Sequence, residues 1–127
     1  MTALINAFEH EPRPLVKRYI VDALGRIGHR AAVGTLQTAL QDPDEQIRQS
    51  AVVALSTIGG PQAEDALITH AANETSYAVK AHLAPALGRC KSGQALDQLN
   101  RWTGDKDPVL KRLADEGIQK HRRSDKK

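Results

Sequence analysis

An all-α chain, built as a stack of repeated helix pairs, is what this sequence predicts, and three observations carry the prediction. The stretch from Val16 to Gly28 places apolar residues at Val16, Ile20, Ala23, Leu24 and Ile27, the i, i+4, i+7, i+8, i+11 spacing of a helix with one buried face. That pattern returns at Ile47, Ala51, Ala54, Leu55 and Ile58, at Val79, Leu83, Ala86, Leu87 and Cys90, and at Leu110, Ala114, Gly117, Ile118 and His121. The copies begin at 16, 47, 79 and 110, steps of 31, 32 and 31 residues, and a fixed period in this range marks stacked supersecondary units. Composition agrees. Aromatics amount to Phe8, Tyr19, Tyr77 and Trp102, whereas strands favour aromatic and β-branched residues.

The elements follow in order. Residues 2–9 hold Leu4, Ile5 and Phe8 on one face and form a short helix that aligns with the second half of later opening helices. Pro12 and Pro14 break it, and Pro14 suits the first turn of the next helix, 13–27. After Gly28, Ala32, Leu36 and Leu40 mark a helix over 30–41. Asp42-Pro43-Asp44 is an acidic turn with a helix-capping aspartate, leading into 44–58. Ala63, Leu67 and Ala71 repeat the Ala32 pattern in 62–72, before a helix over 75–89. Ala95, Leu99 and Thr103 do so again in 93–103, and Asp105 to Pro108 opens a last helix over 107–120. No pair can bury its apolar stripe alone, so stacking supplies the core. Four repeats result, about 1–28, 29–59, 60–91 and 92–119, forming one domain over 1–119.

The turn with its acid, then Ile47-Arg48, Ala51 and Ala54-Leu55 with Ile58-Gly59, resembles a HEAT repeat; Ala23-Leu24-Gly25-Arg26-Ile27-Gly28 carries the same ending. The length near 31 is similar to the short repeats of the phycobilin (PBS) lyase HEAT-like type. The resemblance covers Pro12 to Ile118. It implies an armadillo-type, right-handed α-solenoid in which the second helix of each pair lines the concave side. The Trp, Tyr and Phe pattern of tetratricopeptide repeats and the Thr-Pro-Leu-His of ankyrin repeats are missing.

Charge divides unevenly. Residues 120–127 hold five of the 18 basic and one of the 15 acidic residues, a net of +4, while the other 119 hold 13 and 14, a net of −1. The body is near neutral, and the terminal segment reads as a basic, disordered tail. Within the repeats an acid precedes each first apolar position by five and a base follows it: Glu11 with Lys17, Asp42 with Arg48, Glu74 with Lys80, and Asp105 with Lys111. By resemblance these form a ladder between successive repeats. The functional alternative is a row of cations, Lys17, Arg18, Arg48, Lys80, Lys111, Arg112, Arg122 and Arg123, set to contact a polyanion.

Catalytic and metal patterns are thin. HEAT-type deoxyhypusine hydroxylases carry His-Glu pairs in the second helix. The matching positions here hold Arg18-Tyr19, Gln49-Ser50, Ala81-His82 and Arg112-Leu113, and Glu9-His10-Glu11 falls in a turn. No metal site and no cofactor are expected. Cys90 occupies the slot of Ile27 and Ile58 and reads as a small buried apolar residue. Neither a phosphate-binding glycine motif nor a nucleophile–base set is present, so nothing argues for an enzyme. No apolar run reaches the length of a membrane span, and a lone cysteine without a leader pattern suits a cytoplasmic protein.

What remains is surface. Val21, Val52, Val53 and Ala84, flanked by Tyr19 and His82, are expected to line the concave side as an apolar patch, and patches mark partners. The expected function is a non-catalytic scaffold binding a protein or peptide there. Nucleic-acid binding through the bases and tail is the alternative, weakened by the neutral body and scarce aromatics. A bilin lyase or chaperone-like subunit is what the resemblance permits. Leu4, Ile5 and Phe8 in the opening half-repeat offer a route to a homodimer.

Overall fold

The computed structural model describes residues 2–125, and every regular element among them is helical. The order is α1 (Thr2–His10), α2 (Pro14–Ile27), a single 3₁₀ turn (Arg30–Ala32) running into α3 (Val33–Ala39), α4 (Glu45–Ile58), α5 (Gly60–Ala71), α6 (Tyr77–Arg89), α7 (Gly93–Trp102) and α8 (Pro108–Asp125). The sequence boundaries agree within two residues everywhere but at the final end. There α8 runs on to Asp125, past the expected domain limit at 119, so residues 120–125 are helix and not a disordered tail. The reason is visible in the register. Leu110, Ala114, Gly117, Ile118 and His121 all bury, and His121 Nε2 lies 3.2 Å from the Ser92 carbonyl oxygen. The last two residues of the expected tail, Lys126 and Lys127, lie outside the described residues.

The helix ends are set by local chemistry. Asp44 accepts the backbone N–H groups of Gln46 at 2.8 Å and Ile47 at 3.4 Å, capping α4. Ser76 caps α6 and Ser92 caps α7 in the same manner. The α2 terminus turns on Gly28, whose φ of +72° is costly for any residue with a Cβ, while its N–H closes on the Leu24 carbonyl at 3.1 Å.

The four turn acids do one job each time. Glu11, Asp42, Glu74 and Asp105 accept the backbone N–H two residues ahead, from Arg13 (3.1 Å), Asp44 (2.9 Å), Ser76 (2.9 Å) and Asp107 (2.9 Å). Each therefore holds the chain in the turn that starts the next helix. Two of the bases reach the acid of the following repeat, while Arg48 donates to the carbonyls of its own turn. Lys17 Nζ lies 3.3 Å from Asp42 Oδ2. Asp105 is held below the usual carboxylate range, first by the Asp107 N–H, then by a hydrogen bond from Tyr77 and the charge of Lys80.

The chain divides into two compact units, one ending at Ala66 and one beginning at Leu67. In the first, α2 packs against α4, α1 lies on α2, and α3 on α4. Its core is Phe8, Ile20, Leu24, Leu36, Leu40, Ile47, Ala51 and Leu55. In the second, α8 packs against both α6 and α7, around Val79, Leu83, Leu87, Leu99, Trp102 and Leu110. Glycine sets the closest seams. A Cβ on Gly25 would come within 2.7 Å of Ala54 Cβ, and one on Gly88 within 2.9 Å of Gly117 Cα. One core expectation fails: Ile27 is 54% exposed, because α2 ends there, beyond the reach of the next helix.

Candidate functional site

The second helix of each pair is covered on more than one side, and this decides which residues can meet a partner. On α2, positions 20, 21, 24 and 25 are all buried. Val21, Val52 and Ala84 are consequently core residues, each 0–1% exposed. Their expected role on a binding face is corrected: a residue directly following a core position still falls within the wide stripe buried by two neighbours. Val53 does face outward at 51% exposure, and Tyr19 at 61%; His82 is exposed as well. The opening half-repeat also buries Phe8, leaving Leu4 and Ile5 half-buried, so Phe8 is not the exposed anchor a dimer through that end would need.

The solvent-facing row on α2 reads Leu15, Tyr19, Asp22, Arg26, at i, i+4, i+7, i+11. In the first unit an open groove of about 290 Å³ runs between this row and α4, lined by Asp22, Gly25, Arg26, Ser50, Val53, Ala54 and Thr57. Glycine makes the groove shallow: the close seam at Gly25 and Ala54 forms its floor. Tyr19 lies on α2 one turn before Asp22, outside the residues that line the groove. Its walls carry one acid and one base.

The second unit has the same groove one repeat pair later, about 250 Å³ between α6 and α8. Its lining is Pro85, Leu113, Glu116, Gly117, Gln119, Lys120 and Arg123. Pro85 stands in the register place of Asp22 and Val53, and Leu113 in that of Tyr19 and Ser50. As a proline inside α6 it also withholds an N–H from the Ala81 carbonyl. Charge here is mainly positive, since Glu116 has Arg112 beside it at 3.8 Å.

The candidate polyanion contacts separate into two groups. Lys17 is bound to Asp42 and lies 5.8 Å from the Phe8 ring centroid; Arg18 donates to Gln46 Oε1 at 2.9 Å. Arg48 donates to the Asp42 and Pro43 carbonyls at 2.8 and 3.0 Å, and Lys80 lies 4.9 Å from the Tyr77 ring centroid. These four serve the turns and seams. Lys111, Arg112, Arg122 and Arg123 are exposed along α8. No row of cations forms on α2 or α4.

One buried pair of titratable side chains is a feature that sequence reasoning missed. His70 Nε2 and Glu74 Oε1 lie 2.7 Å apart, with side chains 8% and 2% exposed, and Glu74 Oε2 accepts the N–H groups of Thr75 and Ser76. This closes the turn before α6. The i, i+4 spacing of an acid and a histidine across a helix end was the available signal. Cys90 is buried, its thiol donating to the Ala86 carbonyl at 3.4 Å. Among the described residues no three His, Cys, Asp or Glu side chains gather as metal ligands, and no helix is long and apolar enough to cross a membrane.

Paired helices with capped acidic turns, close glycine seams and solvent-facing grooves on every second helix define an α-helical repeat protein. The family profile for HEAT repeats matches residues 1–76, more than half of the chain, and the chain belongs to that family. It is 39% identical over 72 residues to a phycocyanobilin lyase subunit alpha from Picosynechococcus sp., an alignment covering 57% of this chain and 27% of that protein. Human deoxyhypusine hydroxylase, solved with glycerol, shares the fold with a TM-score of 0.81 at 23% identity, over 96% of this chain and 43% of that one. The chain thus spans about a quarter to under a half of the length of these relatives.

Proposed function

We propose that this HEAT-repeat chain is a binding module without chemistry of its own, taking a segment of a protein partner along the α2–α4 groove. One observation carries the reading: Val53, more than half exposed, lines an open groove over the Gly25–Ala54 seam, and the exposed Tyr19 lies one helical turn before Asp22 of that lining. An exposed tyrosine beside a rigid apolar floor is a typical anchor, since aromatic residues carry much of the energy of protein interfaces. Asp22 and Arg26 supply one donor and one acceptor edge for orientation. The test is quantitative capture of partners from native lysate by the intact chain and by a Tyr19→Ala, Val53→Asp variant. Both positions are exposed, so the melting temperature should hold while capture falls tenfold or more, a loss of about 1.4 kcal/mol. Undiminished capture by the folded variant overturns the reading.

The lyase relative supports a second reading, in which the chain is part of a bilin-handling assembly. It requires phycocyanobilin added to the purified chain to change its visible absorption in a saturable manner. A spectrum identical to that of free pigment removes it.

A further inference from the structure

The second unit's groove is chemically unlike the first, and the difference points to a ligand class. Its floor is apolar and rigid: Pro85 on α6 faces Leu113 and Gly117 on α8, where the two helices approach so closely that a Cβ at Gly117 would lie 2.9 Å from the Ala84 carbonyl oxygen. Its rim is cationic. Lys120 and Arg123 line the groove from α8, and Arg89 stands one turn beyond Pro85 on α6. The one acid in the lining, Glu116, is offset by Arg112. From these residues we infer that the α6–α8 groove is a docking site for an acidic, amphipathic peptide segment. An apolar side chain of the segment seats on Pro85 and Leu113, and its carboxylates meet Lys120 and Arg123.

The occupant follows from charge complementarity and from the floor. A carboxylate-bearing segment gains from the two cations on the α8 wall, and arginine and lysine there raise its association rate as well as its affinity. A nucleic acid would need a longer run of cations or an aromatic platform for its bases. The groove offers two lining cations and no aromatic residue. The inference is independent of the α2–α4 reading, because none of its residues lies in that groove.

The probe is a fluorescein-labelled decapeptide alternating Glu and Leu, measured by fluorescence anisotropy at low and at moderate salt. Binding to the native chain should weaken at least tenfold in Lys120→Glu, Arg123→Glu, and severalfold in Leu113→Ser. Lys111→Glu reverses the same charge two and a half turns before Lys120, on the opposite side of α8, and should leave binding within twofold of native. A matched peptide with serine for leucine should bind at least fivefold more weakly. Circular dichroism confirms that each variant is folded. A single-stranded oligonucleotide of equal charge that binds as tightly as the peptide, or equal binding of the serine peptide, shows a plain polyanion surface and overturns the proposal. So does no saturable binding to the native chain, or an equal loss in Lys111→Glu.

Discussion

The α2–α4 and α6–α8 seams are the same construction with different surfaces. Both bring second helices together over a glycine, Gly25 on Ala54 in one and Gly88 on Gly117 in the other. Both leave a shallow groove above that seam, lined from the same register places. Yet the first presents Asp22, Arg26, Val53 and Thr57, while the second presents Pro85, Leu113, Lys120 and Arg123. The packing positions hold to small or branched apolar residues because a neighbouring helix fixes their volume. The outward positions meet only water, so their chemistry is open to a partner. In a repeat fold, then, agreement between repeats reports structure, and disagreement on the outward row reports function.

The sharpest way to break that comparison is to move a charge by one residue. Val52 is 1% exposed and Val53 51%. Val52→Asp should destabilise by at least about 3 kcal/mol, since it buries an unpaired carboxylate. Val53→Asp should stay within about 0.5 kcal/mol, as an ordinary surface change. Urea unfolding of the two variants decides it, and similar losses would mean that the two rows are not distinct.

Next in size are the seams themselves. Alanine gains about 1 kcal/mol of helix propensity over glycine, but overpacking costs typically about 1–3 kcal/mol and here meets backbone. Gly88→Ala should therefore lose about 2 kcal/mol, and Gly25→Ala a comparable amount. The seams then part company. Ala54→Gly removes the 2.7 Å contact and should restore part of the Gly25→Ala loss, with a coupling of about 1 kcal/mol in a double-mutant cycle. Gly88→Ala has no such partner to trim, because Gly117 already lacks a side chain.

The smallest effect is spectroscopic. Asp42 receives Lys17 in the first unit, but Asp105 receives Tyr77 as well as Lys80, and the register place of Tyr77 holds Pro14 at the start of α2. The hydrogen bond to Asp105, and then its charge, raise the Tyr77 phenol above the ordinary tyrosine value. A raised folded value contributes stability below pH about 10 that is lost as pH climbs through it; the lowered Asp105 value contributes above pH about 4, lost on acidification. In a Tyr19→Phe background, ultraviolet titration should show phenolate appearing late, and Asp105→Asn should bring it back toward about pH 10. An unmoved titration would remove the Tyr77–Asp105 bond.

Helix positions and repeat period were legible in the sequence because 3.6-residue periodicity, prolines and capping aspartates act locally. Which side of a helix faces water was only half legible. A single apolar stripe through Ile20, Leu24 and Ile27 predicts one buried side, whereas packing against two neighbours buries Val21 too and releases Ile27 at the helix end. The grooves were not legible at all. Asp22, Arg26, Lys120 and Pro85 look like ordinary surface or helix-breaking residues until two helices are set side by side. The terminal bases misled for the opposite reason: charge density suggested disorder, although Ile118 and His121 still anchor that turn.

The turn acids carry a consequence for how successive helix pairs are joined. Lys17 answers Asp42, and Lys80 lies by Asp105: in both cases the base sits one repeat upstream of the acid it meets. Within each compact unit, then, a base of the earlier repeat reaches forward to the turn acid of the later one, like a coupling with one end of each kind. A break between Lys17 and Asp42, or between Lys80 and Asp105, would leave that turn acid without its base. The two linkages tie a helix pair to the one that follows it, so each pair's turn is held partly by a residue some 25 positions upstream.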